Sequence, residues 1–567
     1  MNKSINQSNI ILLTCIITTL FIIPINIEPF SQPRLLVLSN FSLIALLSFI
    51  YIRNTFYIDR TFKVFYFSIA VYVFLFIVSA LINDLSISQI ILGTWARNNG
   101  LAYYVSLFIL LLVTLNLRSI TLRYSILKTL SFTGLIVNLY AWLQLANFDF
   151  YNSIFPLYNK NLLVYSVFGN TNFFSAFFSF SVIANLGIIS NQNFSKKIRT
   201  FFGILLFLNL PLLFIVDLQG LILSVFGFIS ISYFWVRSKF IKKFKSKFLL
   251  KLFNLALFLV IGILAFFLRV QNRFNRQEFI TLEDRFYFWQ SATRMIMNNL
   301  WFGVGPDSFS SWVGIYRSKE FYDFRNQLKT DPGYTDNAHN IILNIAATLG
   351  IPALLLYCFI IFFVLWRALI AYRVCKDKHI VFVLITIFCA YLLQSMISIE
   401  HIGVSIWGWV IGGILINISL GEETPQAARR VKQLKLNLSK FKVLILTTLA
   451  ILPIYVTVDL IKVSRVSSIF SKSILDRSFL TNINNIDNLY NLAINSSHAS
   501  LRIDIAIHLA NSGNLRQALS LAEATSMEFP RDIKTWVLLS KIYKNMDREN
   551  EYLDVINTLR KLEPLRY

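Results

Sequence analysis

The sequence is short of the residues from which disulfide scaffolds, metal centres and nucleotide sites are built. Its four cysteines are Cys15, Cys358, Cys375 and Cys389. None lies in the long polar stretch at 269–340 or in the polar C-terminal region, so neither place holds a disulfide framework or a cysteine-based metal site. Histidines number five, and no set of His, Asp and Glu is clustered at ligand spacing, which excludes a divalent-metal site. A Gly-x-x-x-x-Gly-Lys-Ser/Thr loop is absent, so ATP is not the energy source. No cofactor is expected. Acidic residues are outnumbered 29 to 53 by basic ones, and the apolar runs are nearly free of both. A transporter is expected to place ionisable groups inside its spans.

What the chain has in abundance is apolar surface. Of 567 residues, 56% are hydrophobic and 15% aromatic, and the mean hydropathy is +0.60. Soluble domains do not reach these values, so the chain belongs to the membrane class. The formal charge of +24 could suggest nucleic acid, but most Lys and Arg sit in short loops between apolar runs, where they report topology. No nucleic-acid partner is expected; the lipid bilayer is.

Runs of about 17–25 apolar residues, the length that crosses a bilayer, recur near 9–26, 35–52, 64–82, 101–117, 126–146, 173–189, 201–216, 220–236, 249–268, 351–370, 380–398, 402–420 and 443–461. Only Asp217, Gln219 and Gly220 interrupt 201–236, which reads as a tight hairpin or as one long tilted helix. No small-residue cleavage site follows the first run, so it is expected to stay as a signal anchor. With the N-terminus inside, Arg53, Arg60, Lys63, Arg118, Arg123, Lys128, Lys196, Lys197, Arg199 and the basic stretches 237–247, 367–378 and 428–442 fall on the inner side. The short outer loops carry Arg34, Arg97 and Lys160. This asymmetry places 269–340 outside the cytoplasm. After a thirteenth helix the tail is outside too, although Lys462, Arg465, Lys472 and Arg477 argue mildly against it.

The expected fold is all-α: a polytopic membrane domain (1–465) of about 12–13 spans with a large extracytoplasmic loop at 269–340, then a helical domain at 466–567. In the tail, Pro530 and Pro564 are 34 residues apart, with Ala506, Gly513 and Ala518 before the first and Trp536, Leu539 and Tyr543 after it. These offsets resemble the tetratricopeptide repeat, with two copies at 499–532 and 533–566. Two copies bury little core alone, so they must lean on something; an ordinary helical hairpin is the alternative. A concave helical-repeat face implies a protein partner.

The polar segment carries the most specific pattern. AHNIILNIAATLGIPALLLY (338–357), WFGVGPDSF (301–309), EDRFYFWQSATRMI (283–296) and GNTNFFSAFFSF (169–180) occur in the order and character of signature segments of the O-antigen ligase and O-antigen polymerase superfamily, which the chain resembles over roughly 90–420. LGTWARNNGLAYY (92–104) is similar to an arginine-bearing outer loop of some members. Two positions depart from the family pattern. Leu218-Gln219-Gly220 stands where Ser-Arg-Gly is usual, and Thr348 where an acidic residue is. The resemblance implies a metal-independent, inverting glycosyltransferase in the bacterial cytoplasmic (inner) membrane. It would move a surface-polysaccharide glycan from a polyprenyl (undecaprenyl) diphosphate carrier to a hydroxyl of a glycan, lipid or protein acceptor. The paired acidic residues of another class of membrane oligosaccharyltransferase are missing from the first outer loop, where Ile27–Arg34 holds Glu28 alone.

The residue types suit that chemistry. A lipid diphosphate needs a clamp for its charge, and the planar guanidinium binds phosphate oxygens bidentately without losing its proton. Arg285 is the first candidate, then Arg97, with Arg269 and Arg294 behind them. His339 is the candidate base: with Asp336 or Asn337 as cap it would sit in the first turn of a helix, where the macrodipole disfavours the imidazolium. Asn340 would orient the turn or bind sugar. Glu400 and His401, on the same outer side, are either pocket wall or plain loop. His498 and His508, with no carboxylate at ligand spacing, read as structural. A polymerase of the same superfamily satisfies the same residues. A polysaccharide flippase or exporter accounts for the helices but not for a loop histidine at a helix start.

Overall fold

The computed structural model describes the chain except residues 1, 25, 53–54, 118, 152–163, 241–275, 332, 422–432, 436–439 and 477, with side chains also left out at 2–6, 55, 214, 235–240, 276–282, 433–435 and 440–445. The apolar part runs α1 (Asn2–Leu20), α2 (Ser31–Ile52), α3 (Arg60–Ile82), α4 (Ile87–Leu92), α5 (Leu101–Asn116), α6 (Leu122–Leu145), α7 (Thr171–Ser190), α8 (Lys196–Asn209) and α9 (Leu218–Phe240). The polar segment adds α10 (Arg276–Asn298), α11 (Phe309–Tyr316) and α12 (Lys319–Gln327). There follow α13 (Ile341–Leu349), α14 (Ile351–Val374), α15 (Lys378–Ser395), α16 (Ile402–Ser419) and α17 (Lys440–Leu475). The tail contains α18 (Ile483–Ile494), α19 (Ala499–Asn511), α20 (Leu515–Glu528), α21 (Ile533–Asn545) and α22 (Glu549–Leu562).

The protein is an all-α polytopic membrane protein. Eight of its described helices are long and apolar enough to cross a membrane, and three apolar ones are shorter. Helices cover twelve of the thirteen expected runs, while 249–268 lies outside the described residues. The stretch 201–236 is broken, not continuous: α8 ends in a 3₁₀ turn at Leu210–Phe214, and Asp217 then accepts the Gly220 amide at 2.8 Å to start α9. Among the described residues one strand pair occurs, Thr55–Tyr57 antiparallel to Gln433–Lys435.

Helices α5, α7 and α16 form the centre and are buried along most of their length. Small residues let α16 approach its neighbours. A Cβ on Gly413 would stand 1.8 Å from Thr114 Oγ1 in α5, and one on Gly408 would strike the Tyr391 ring in α15. Trp407, fully buried, donates from Nε1 to Thr19 Oγ1 at 2.9 Å and ties α16 to α1.

Helix α17 leaves the apolar domain and continues unbroken into the tail, so the division at 465/466 falls inside it. Its last turns, through Val463, Val466 and Phe470, belong to the tail's own core, against which Ile27 and Trp95 of the apolar domain also pack. Ala499 corresponds to Ile533 and Leu515 to Glu549, a shift of 34 residues in each case. Ala506 and Ala518 are fully buried, and Gly513 makes the turn between α19 and α20 at φ +85°.

The tail is seated on the polar segment. Arg317, in the loop after α11, and Glu563 form a buried ion pair at 2.7 Å, and Arg531 stacks 3.5 Å above the Trp312 ring. Removing one member of such a buried pair costs on the order of 3–5 kcal/mol. Tail and polar segment therefore occupy the same side of the membrane. Ser512 and Lys329 are both exposed. Ser512→Cys and Lys329→Cys should thus react with a membrane-impermeant maleimide under the same condition; labelling of one in intact cells and of the other only after lysis would contradict this packing.

Candidate functional site

The site is framed by a turn pressed onto a helix end. Val304 N donates to Ala347 O at 3.0 Å, Gly305 N to Thr348 O at 2.9 Å, and Ile351 N to Leu300 O at 2.8 Å. The contact is so close that a Cβ on Gly303 (φ +61°) would lie 2.3 Å from the Thr348 carbonyl carbon, and one on Gly350 (φ +86°) 2.3 Å from Trp301 O. Only glycine tolerates both the positive φ and that approach. Ser79 Oγ, near the end of α3, donates to Phe302 O at 2.5 Å. The polar segment and the entry to α14 are thereby fixed to the membrane helices.

From this turn Asp307 reaches back to the 93–100 loop, accepting Thr94 N at 2.6 Å and Thr94 Oγ1 at 2.9 Å. Burial pushes its carboxyl up to about 6, against the pull of those two bonds. The same loop presents Arg97, whose Nε lies 2.5 Å from Asp336 Oδ2. Burial works to raise the Asp336 pKa, but the Arg97 partner outweighs it and the net shift is downward.

His339 follows three residues later. Its backbone is left-handed (φ +53°), and its amide donates to Asn337 Oδ1 at 2.9 Å. The helix cap is Asn340, whose Oδ1 accepts Ile342 N at 3.0 Å and Leu343 N at 3.1 Å; such a cap contributes about 1 kcal/mol. His339 thus stands just before α13 rather than in its first turn, and neither Asp336 nor Asn337 is the cap. The imidazole stacks on Phe288 of α10 with centroids 5.6 Å apart, and its Nδ1 is buried without a hydrogen-bond partner among the described residues. Burial pulls its pKa down to about 4; Asp336 opposes this, and the nearby Arg285 and Arg97 cations add to it. Arg285 precedes Phe288 by one helical turn, on the same face of α10. Burial lowers its pKa, opposed by Asp217 at the start of α9, and it forms no ion pair with a described residue.

His339, Arg285, Arg97 and Asn340 are therefore brought together. Arg269 lies outside the described residues, and Arg294 is exposed on α10, pointing Nη1 at Tyr316 O 3.5 Å away. Glu400 and His401 lie in a buried network that adjoins the 93–100 loop, where Asn99 Nδ2 donates to Glu400 O at 3.5 Å. Glu400 accepts Tyr391 OH at 2.7 Å and Tyr103 OH at 2.9 Å. His401 caps α16 through Gly403 N at 3.2 Å and meets Arg34 Nη1 at 3.1 Å. Arg34, fully buried, also donates to Thr19 O at 3.0 Å and Val167 O at 2.5 Å. Charge counting marks it as an outer-loop residue and gives no sign of this burial. Gln219, at the position usually arginine in the superfamily, is buried, and both its amide atoms lack a partner among the described residues. His498 has a carboxylate that sequence spacing does not reveal: Asp459 Oδ2 lies 2.9 Å from its Nε2, across 39 residues. His508 meets the Ser473 carbonyl at 3.3 Å. No group of three or more His, Cys, Asp or Glu able to hold a metal occurs among the described residues.

The pH response follows from these shifts. His339 titrates near 4 in the fold against 6.5 for a free imidazole, so across that interval the unfolded chain binds more protons and acidification costs stability. Asp307 acts the opposite way: raised from 3.8 to about 6, it gains a proton in the fold first and favours folding as pH falls through that range. His339→Gln should therefore lose less Tm than the native protein between pH 6.5 and about 4. An equal or larger loss by differential scanning fluorimetry would contradict a neutral, half-buried imidazole.

Residues 204–358 match the family model for O-antigen ligase. No curated protein matches the chain. The matched stretch holds Arg285, the Gly303–Asp307 turn and His339, and it supports a place in the O-antigen ligase superfamily, whose activity is glycosyl transfer of the ligase or polymerase kind.

Proposed function

We propose that the protein moves a glycan from a polyprenyl diphosphate to an acceptor hydroxyl on the extracytoplasmic face of the bacterial cytoplasmic membrane, with inversion and without a metal. The observation that carries this reading is the placement of His339, stacked on Phe288 of α10 one turn from Arg285 and three residues from the Arg97–Asp336 pair; burial and the two cations favour its neutral form. With Nδ1 buried, Nε2 is the nitrogen left to take the acceptor proton. The acceptor oxygen then bonds to the anomeric carbon, the carbon–oxygen bond to the diphosphate breaks, and the electron pair leaves on the phosphate. Attack from the side opposite the leaving group inverts the centre.

Arg285, without a carboxylate bonded to it among the described residues, is the better phosphate clamp. Arg97 would have to share its charge with Asp336, which suits it to orienting the segment as well as to binding anion. The energy resides in the diphosphate linkage, so neither nucleotide nor metal is required. Ligase and polymerase differ in acceptor: a lipid core or a protein for one, another lipid-linked glycan for the other.

His339→Ala and Arg285→Ala should each lower transfer by about 10²–10⁴-fold while leaving membrane insertion intact. Native rates in purified His339→Ala protein would sink the assignment. Lipid-linked glycan crossing reconstituted vesicles with no new glycosidic bond would replace the enzyme reading by a flippase. After gene deletion, single repeat units left on the acceptor indicate a polymerase, and full-length chains left on the carrier lipid indicate a ligase.

A further inference from the structure

The segment that presents Asp336 and His339 has little structure of its own. Residues 333–340 are neither helix nor strand. The bonds that hold them run to side chains: Gly333 N to Asp331 Oδ1 at 2.7 Å, Ala338 N to Asn344 Oδ1 at 3.4 Å, and His339 N to Asn337 Oδ1 at 2.9 Å. A stretch without its own backbone ladder takes its position from whatever grips it. One grip comes from the membrane domain, Arg97 on Asp336. Near His339 the grips are local, Asn344 on Ala338 N, the Asn340 cap and the Phe288 stack; at the Gly333 end they come from the tail or depend on it.

Glu563, at the end of α22, is 0% exposed. Its Oε1 accepts Arg317 Nη1 and Tyr322 OH, both at 2.7 Å. Arg317, thus oriented, donates its other terminal nitrogen to Gly333 O at 2.8 Å. Arg566 binds Glu563 Oε2 at 3.3 Å on one side and Asp331 Oδ2 at 2.9 Å on the other. Gly314 in α11 lies so close to the tail that a Cβ there would stand 2.8 Å from Leu562 O. Gly333 is three residues from Asp336 and six from His339, a reach of at most about 3.6 Å per residue. Slack at Gly333 is therefore slack at the start of the segment that leads through Asp336 to the imidazole.

We propose that Glu563 is a positioning residue for the site: through Arg317 and Gly333 it holds the segment that carries Asp336 and His339, so the tail is a structural half of the active site and not only a platform for partners. The inference rests on the proposed glycosyl transfer for its kinetic consequences, but its structural content stands apart from that reading. The ion pair and the tyrosine bond converge on one carboxylate, and the chain it secures leads directly into the base. Such a residue touches neither substrate nor reacting atoms and acts through geometry alone.

The test uses the full chain in lipid nanodiscs, with Glu563→Gln and the milder surface change Asp331→Asn, whose carboxylate is largely exposed. Amide hydrogen exchange is read over 333–340 against α14 and α16. Transfer is read with lipid-linked glycan extracted from the native host. Glu563→Gln should speed exchange in 333–340 by about tenfold or more, with α14 and α16 unchanged. It should lower kcat by about 10–10²-fold with a much smaller change in acceptor KM. The acid limb of the pH–rate profile should move up from near 4 toward 6.5 as His339 regains water beside Asp336, Arg285 and Arg97. Asp331→Asn should shift the same quantities in the same direction by less. Unchanged exchange at 333–340 in both variants overturns the proposal, as does reduced activity with an unmoved acid limb, which marks a loss of stability only. Faster exchange in a protein whose native form transfers no glycan keeps the positioning role and overturns the transferase reading instead.

Discussion

Everything at the site depends on two backbone hydrogen bonds that join the Gly303–Gly305 turn to the last carbonyls of α13. They satisfy carbonyls that a helix end would otherwise leave open, and they do so at a distance only glycine permits. Because α13 runs directly into α14 through Gly350, the turn, the histidine helix and a membrane span become one rigid corner. Asp307 extends that corner to the 93–100 loop, and Arg97 carries it on to Asp336. The base is thus referenced to the membrane helices through a short chain of bonds.

The electrostatics follow from the same frame. Charges of alternating sign surround the imidazole: Asp217 near Arg285 on one side, Asp336 paired with Arg97 on the other. Burial already disfavours the imidazolium, and two flanking cations disfavour it further. A second set of buried polar groups, Arg34 with His401 and Glu400 with two tyrosines, joins α2, α5, α15 and α16.

Much of the architecture was legible because apolar runs and basic loops follow simple physics. The helix positions and the 34-residue shift in the tail were marked by composition or punctuation, whereas 201–236 suited a hairpin or one long helix, and the break falls at 210–217. The grouping of Arg285, Arg97, Asn340 and His339 was legible through motif order. The cap of α13 was not, since Asp336, Asn337 and Asn340 all suit a cap, and only the backbone chooses Asn340. Nor could spacing reveal partners such as Asp459 for His498, or Glu563 for Arg317, which lies 246 residues away. Arg34 read as a loop charge because a count of basic residues carries no information about burial.

The unbroken course of α17 has a mechanical consequence. One helix supplies both the last span and part of the tail's core, with Asp459 bonded to Gln32 of α2 and to His498 of the tail where the two meet. The tail therefore joins the membrane domain through continuous helix, with Pro453 of α17 lying less than two turns before Asp459. Tilt is the variable by which a span accommodates hydrocarbon thickness, at a cost of fractions of a kcal/mol per Å of mismatch. A span that changes tilt would carry that change along continuous helix to the membrane surface where the tail grips the polar segment.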